Sequence, residues 1–68
     1  MVVYHIVRGD YLIDVALDST KCIQRIRFFP IEDDDTIGDC RLEYSGENIP
    51  LELLFGMHLL VEAAENTI

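Results

Sequence analysis

Up to Ser45, hydrophobic and polar residues alternate one by one within several short segments of the chain. This period of two predicts β-strands. Val2 to Arg8 and Tyr11 to Asp18 flank Gly9-Asp10, a two-residue turn with glycine first that is typical of a type II′ hairpin. Cys22 to Phe29 and Cys40 to Ser45 alternate in the same way. The pattern therefore predicts a meander of four antiparallel strands.

The hairpin turn also predicts the register of the first two strands. If Arg8 pairs with Tyr11 across the turn, the residues that share one face of the two strands are all hydrophobic. A slip by one residue would turn every side chain to the other face, so we expect the register to be well defined. The predicted pairs are Ile6 with Ile13, Tyr4 with Val15, and Val2 with Leu17.

The registers of the third and fourth strands depend on the lengths of their connections. Residues 18–21 form a polar break, and pairing Leu17 with Cys22 across it places Ile13 beside Ile26 and Asp14 beside Arg25. A direct return of the fourth strand then places Glu43 opposite Arg25. The predicted row of charged side chains across the sheet is His5, Asp14, Arg25 and Glu43. Pairs of this kind contribute about 0.2–1 kcal/mol each, so the row reads as a determinant of register rather than of function.

The segment 50–64, PLELLFGMHLLVEAA, predicts a helix that is hydrophobic over most of its circumference. Pro50 suits the first turn of a helix. Glu62 and Glu65 lie at the end where the helix dipole disfavours acidic side chains, with no lysine or arginine nearby to balance them, so packing must hold the C-terminal end. One hydrophobic stripe comprises Leu53, Gly56, Met57, Leu60, Val61 and Ala64. A second stripe comprises Leu51, Leu54, Phe55 and Leu59.

The predicted fold is thus α+β (ββββα), a four-stranded antiparallel sheet over residues 2–45 with the helix packed on one face, in one domain spanning 1–68. A sheet of four strands can cover only one stripe of the helix. A domain of this size buries roughly 60% of the surface of its unfolded chain, and oligomerisation is a common source of additional stability. We therefore expect a homodimer, with an interface formed by Leu51, Phe55, His58 and Leu59.

The 68 residues carry a net charge of −8, and the acidic residues are concentrated in the second half. Residues 31–68 contain ten acidic side chains and one arginine, whereas residues 1–30 have a net charge of +1. Direct binding to nucleic acid needs a basic face, so the distribution favours a basic protein partner instead. The residues expected to contact that partner are Glu32, Asp33, Asp34, Asp35, Asp39, Glu43 and Glu47.

Candidate catalytic and metal-binding patterns are weak. In the acidic loop 31–39, Asp33, Asp35 and Gly38 match three positions of an EF-hand calcium loop, but Ile37 and Tyr44 occupy two positions that need oxygen ligands. His5 beside Asp14 has no partner nucleophile. The spacing of the histidines and cysteines resembles no zinc site. We expect no enzymatic activity, no metal and no cofactor.

The cysteines and the apolar segments bear on the cellular compartment. In the predicted sheet Cys22 and Cys40 lie too far apart for a disulfide, so both are expected to be buried free thiols. The most apolar segment, the predicted helix, is too short and too polar to span a bilayer, and the first residues lack the features of a secretory signal. These observations predict a cytoplasmic protein outside the membrane.

Two functional hypotheses remain open. The first is a small acidic interaction or inhibitor protein that occupies a basic site on another protein, such as a nucleic-acid-binding site, in the manner of an antitoxin, an anti-defence protein or a DNA mimic. The second is a structural or accessory subunit whose helix completes a larger assembly, with the acidic residues serving solubility. Binding by the first type should weaken steeply with salt, whereas a hydrophobic contact should hardly change.

Overall fold

A computed structural model describes residues 1–66. Within this range the chain forms one antiparallel sheet followed by one α-helix, which confirms the predicted ββββα fold. The strands lie in the sheet in sequence order, and a 3₁₀ turn at Gly46–Asn48 connects the last strand to the helix. The elements are β1 (Val2–Arg8), β2 (Tyr11–Leu17), β3 (Ile23–Pro30), β4 (Leu42–Ser45) and α1 (Leu51–Glu65).

The β1–β2 hairpin has the predicted bounds for β1 and the predicted register throughout. Ile6 pairs with Ile13 and Arg8 with Tyr11. Gly9 has a φ of +59°, the left-handed conformation that a type II′ turn requires at its first central position and that glycine adopts without steric cost. The turn residues therefore determine the pairing of the whole hairpin.

The predicted register between β2 and β3 is wrong by two residues. Ile13 pairs with Phe28 and Asp14 with Arg27, rather than with Ile26 and Arg25. Part of the shift comes from the connection, because the Asp18 backbone N–H donates to the Cys22 carbonyl oxygen at 3.0 Å and keeps Cys22 in the turn. The rest comes from a β-bulge after Ala16. The shift of two residues keeps Ile26 and Phe28 on the core side, whereas beyond the bulge Ile23 is buried in the core and Cys22 is exposed.

A left-handed residue explains the longer connection. Lys21 has a φ of +66°, and its backbone N–H donates to the Asp18 carbonyl oxygen at 3.0 Å. A three-residue hairpin loop commonly ends in such a left-handed residue, normally glycine or asparagine. Because lysine rarely adopts this conformation, the sequence pattern does not reveal the loop.

The predicted register between β3 and β4 is also wrong by two residues. Phe28 pairs with Leu42, Arg27 pairs with Glu43, and β4 begins at Leu42 rather than Cys40. The row of charged residues therefore contains Arg27 in place of Arg25. The cause is the loop before β4, in which Ile31 and Ile37 form an isolated bridge that extends the turn beyond the end of β3.

The core lies between the sheet and α1. Ile26 and Val15 are fully buried, and Met57 and Val61 are the buried residues of the helix. The remaining core side chains, Ile13, Leu17 and Ile23, come from the two central strands. The partly buried hydrophobic residues around them are Tyr4, Ile6, Tyr11, Phe28, Ile49, Leu53, Leu54 and Leu60.

The C-terminal end of α1 is held by polar contacts as well as by packing, which corrects the expectation that packing alone would hold it. The Tyr4 hydroxyl donates to Glu65 Oε2 at 3.0 Å, and this hydrogen bond holds the pKa of Tyr4 above its usual value. Lys21 Nζ lies 3.8 Å from the same oxygen. The cation comes from the β2–β3 connection, which is distant in sequence.

Both cysteines are free, as predicted, but the expectation that they are buried is wrong. Cys22 lies in the β2–β3 connection and Cys40 lies before β4, and both are exposed. The two-residue shifts described above moved both residues out of the strands in which burial was expected.

Candidate interaction surfaces

The acidic loop, residues 31–39, follows the end of β3 and is held by backbone hydrogen bonds. The Glu32 backbone N–H donates to the Thr36 carbonyl oxygen at 2.8 Å, and the Gly38 N–H donates to the Pro30 carbonyl oxygen at 2.9 Å. A Cβ atom at Gly38 would lie 2.5 Å from Glu32 Oε1, the mobile end of an exposed side chain, and 3.0 Å from Pro30 Cγ, so a larger residue here would require Glu32 to turn away. The backbone thus presents the carboxylates from a defined turn.

One carboxylate stabilises this turn from within. Asp34 Oδ1 accepts hydrogen bonds from the Thr36 hydroxyl at 2.6 Å and from the Thr36 backbone N–H at 3.2 Å. These bonds, the hydroxyl bond first, hold the pKa of Asp34 below its usual value. Asp35 has a φ of +66°, a conformation that aspartate and asparagine tolerate better than most residues.

All seven predicted partner-contacting carboxylates are exposed. Within residues 1–66 the ion pairs involve only Asp14 and Glu65 among the acidic residues, so none of the seven is neutralised by a cation of the chain. Glu32 to Asp35 lie together in the turn, and Asp39 follows on the return. Glu43 lies within β4 and Glu47 beyond its far end, in the 3₁₀ turn.

Asp10 belongs beside the acidic loop, although the charge pattern alone did not single it out. The Ile31 backbone N–H donates to the Asp10 carbonyl oxygen at 2.8 Å, which places the β1–β2 turn against the start of the loop. The predicted antiparallel meander was enough to predict this proximity of Asp10 to the loop, because the turn after β1 and the end of β3 must lie at the same end of the sheet.

The sheet face opposite α1 carries a buried acid between two arginines. Asp14 is 4% exposed, and its Oδ2 accepts a hydrogen bond from Arg27 Nη2 at 2.9 Å. Arg25 Nη2 lies 3.9 Å from the other carboxylate oxygen. The Arg27 guanidinium also lies 5.5 Å from the centre of the Phe29 ring, which gives the outward-facing Phe29 a cation–π contact. The two guanidinium groups flank the carboxylate, while Asp14 Oδ1, Arg25 Nε and Arg27 Nε are buried without a hydrogen-bond partner.

The predicted interface residues of α1 lie on its exposed side. Leu51 is 79% exposed, Phe55 68% and Leu59 55%, and His58 is exposed between them. Leu54, the fourth member of the predicted second stripe, packs instead against the core. The helix therefore presents a row of large hydrophobic side chains along two turns.

Residues 1–66 contain no cluster of three or more histidine, cysteine or acidic side chains arranged to hold a metal ion, and no pocket is found among them. In the same range, no helix has both the length and the hydrophobicity needed to cross a membrane. The exposed features of residues 1–66 include an acidic loop, a hydrophobic helix stripe and the two edges of the sheet.

Comparison with protein-family models, curated proteins and solved structures finds no match to this chain.

Proposed function

We propose that this chain is a small acidic interaction protein of the inhibitor type, which binds a basic site on a protein partner through its acidic loop. The observation that carries the proposal is a group of exposed carboxylates that no cation of residues 1–66 pairs with, presented on an ordered turn. The residues expected to contact the partner are Glu32, Asp33, Asp34, Asp35 and Asp39, with Glu43 and Glu47 at the periphery.

The physical argument concerns the cost of crowding like charges. Adjacent carboxylates repel one another and destabilise the compact state, so solubility alone would be served as well by scattered charges. A basic partner relieves this repulsion on binding. The charges also accelerate encounter over a screening length of about 8 Å at physiological salt. A nucleic-acid-binding groove is one basic site of this kind, for which the carboxylates would replace phosphates.

The test is differential capture followed by a salt titration. Wild-type protein and a D33N/D35N variant are immobilised and exposed to lysate of the source cells, and a basic protein retained only by the wild type is purified. The dissociation constant is then measured between about 50 and about 300 mM salt, a range over which the Debye length falls by about 60%. We expect wild-type binding to weaken steeply with salt, and the variant to bind more weakly with a shallower salt slope.

A control variant separates position from net charge. E52Q/E62Q removes two charges, as D33N/D35N does, but from α1 rather than from the loop. Both loop substitutions suit the turn, because Asn tolerates the left-handed conformation of Asp35 and the Asp34 hydrogen bonds are left intact. Equal salt slopes for wild type and D33N/D35N, or equal losses in the two variants, would contradict the proposal.

A second candidate function is a structural or accessory subunit that assembles through α1. The exposed hydrophobic row of Leu51, Phe55 and Leu59 favours it, because side chains of this size are normally covered in a functional assembly. Such a contact, whether with a second copy or with another protein, would survive high salt, and it would be lost on changing Phe55 to aspartate. The same salt titration therefore distinguishes the two candidates.

A further inference from the structure

The two edges of the sheet differ in how well they are protected against pairing with another strand. β4 has four residues, with Glu43 in the strand and the 3₁₀ turn directly after it. β1 has seven residues, VVYHIVR, with no proline and with its only permanently charged side chain, Arg8, at the end. Short strands and inward charges commonly block edge pairing, whereas a long hydrophobic edge invites it.

The hairpin geometry determines which backbone groups of β1 face outward. The Gly9-Asp10 turn bonds the Arg8 carbonyl to the Tyr11 N–H, so Arg8, Ile6 and the other even-numbered residues direct their backbone groups toward β2. The N–H and C=O groups of Val3, His5 and Val7 therefore point away from the sheet. These residues present three donors and three acceptors at regular spacing along the open edge.

The outward-facing positions are symmetric about His5. If a second β1 strand runs antiparallel with His5 opposite His5, Val3 faces Val7 of the other copy at both ends, and Tyr4 faces Ile6 on the opposite face. Every outward donor then meets an outward acceptor. No charged side chain lies opposite a like charge, since Arg8 faces Val2. The register thus allows the β1 strand of a second copy to pair along this edge.

We propose that β1 is a self-association edge, and that two copies join through antiparallel β1–β1 pairing centred on His5 into a continuous eight-stranded sheet. The arrangement is isologous, with a twofold axis perpendicular to the sheet, so both helices lie on the same face. Because α1 contacts β1, where the Tyr4 hydroxyl donates to Glu65 Oε2 at 3.0 Å, the helices of the two copies would lie beside the junction. This inference is independent of the acidic-partner proposal, which concerns the loop between β3 and β4 rather than the β1 edge.

The test uses two double substitutions that differ only in the sign of one charge. Val3 is 39% exposed and Val7 67% exposed, so both accept polar side chains in the monomer. In the proposed register residue 3 faces residue 7 of the other copy twice. V3K/V7K therefore creates two repulsive pairs, whereas V3E/V7K creates two attractive pairs on an equally hydrophilic edge.

We expect wild type and V3E/V7K to sediment as dimers, and the dimer dissociation constant of V3K/V7K to exceed that of V3E/V7K by about tenfold or more. Circular dichroism and thermal unfolding establish that each variant is folded. If V3K/V7K does not fold, His5→Pro replaces it, since the backbone N–H that this change removes points away from β2, and the change should also abolish the dimer.

Three results overturn the proposal. The first is a wild-type chain that sediments as a monomer at high concentration. The second is equal dimerisation of V3K/V7K and V3E/V7K. The third is a His5→Pro variant that remains a folded dimer. If, in the second case, the Phe55→Asp variant is a folded monomer, the interface belongs to α1 and not to the β1 edge.

Discussion

At the scale of single residues, the contacts of Asp14 show what a charge pattern can predict. It predicts that an ion pair forms better than it predicts which arginine forms it. The sequence predicted an arginine beside Asp14, and the structure places Arg27 in the paired position instead of Arg25. Both arginines nevertheless reach the carboxylate, because they lie two residues apart on the same face of β3. The pairing residue depended on a bulge that the alternation of residue types does not record.

The two arginines should differ in their contributions to stability. Arg27→Ala removes a hydrogen bond of 2.9 Å to a buried carboxylate, whereas Arg25→Ala removes a contact of 3.9 Å. Since both guanidinium groups are about a third exposed, solvent screening limits the effects. We expect a loss of roughly 1–3 kcal/mol for Arg27→Ala and below about 1 kcal/mol for Arg25→Ala in urea unfolding. An equal loss would show that the carboxylate is shared evenly.

Asp18 predicts an acid-sensitive β2–β3 connection. Its carboxylate accepts hydrogen bonds from the Thr20 hydroxyl at 2.6 Å and from the Cys22 backbone N–H at 3.0 Å, and these contacts, the hydroxyl first, lower its pKa. A lowered pKa in the folded state stabilises the fold above the unfolded value of about 3.9, and this stabilisation is lost as the pH falls through the folded value.

The corresponding measurement compares the melting temperatures of wild type and Asp18→Asn at several pH values. At neutral pH the wild type should melt at the higher temperature. Below pH of about 4 the difference should shrink, because protonation then removes the advantage of the carboxylate. A difference that stays constant down to pH of about 2 would show that the charge of Asp18 is not involved.

At the scale of secondary-structure elements, local chemistry determined how much the sequence could predict. The β1–β2 hairpin was predicted residue by residue because Gly9 imposes one turn type. The next connection was not, because its left-handed residue is Lys21 rather than glycine. The helix was predicted within one residue at each end, and the side of α1 that faces solvent agrees with the residues assigned to an interface.

The core between the sheet and α1 should respond strongly to the loss of one side chain. Ile26 has no exposed surface, and Ile26→Ala should cost about 2–5 kcal/mol, a large part of the stability of a domain of this size. Leu42→Ala is a matched control, since Leu42 lies on the same face but is 50% exposed and should matter much less. Thermal unfolding of the two variants tests this difference. Similar melting temperatures would show that Ile26 is not central to the core.

At the scale of the whole molecule, the distribution of charge could be predicted but its use could not. The sequence alone indicated that the acidic residues concentrate after residue 30. The structure shows that the seven carboxylates predicted to contact a partner are exposed. Which of them lie together depends on the path of the chain, and the proximity of Asp10 follows only from the topology. The identity of a partner depends on a surface that this sequence does not contain.

A net charge of −8 on 68 residues predicts that salt stabilises the free protein. Screening reduces repulsion among the carboxylates, so the melting temperature of the wild type should rise between about 10 and 300 mM sodium chloride. D33N/D35N should melt at a higher temperature than the wild type at low salt and show a smaller rise. A melting temperature that falls with salt would mean that attractive pairs, such as those of Asp14, outweigh the repulsion.

The order of the strands has a consequence for how the chain folds. Each strand pairs with the one before it in the sequence, so the sheet can grow without closing long loops, and loop closure is the main entropic obstacle to rapid folding. During synthesis β1 to β4 emerge before α1, yet Val15 and Ile26 remain uncovered until Met57 and Val61 arrive. The nascent meander would therefore expose its hydrophobic face until α1 docks, which makes the docking of the helix the step that completes cooperative folding of these elements.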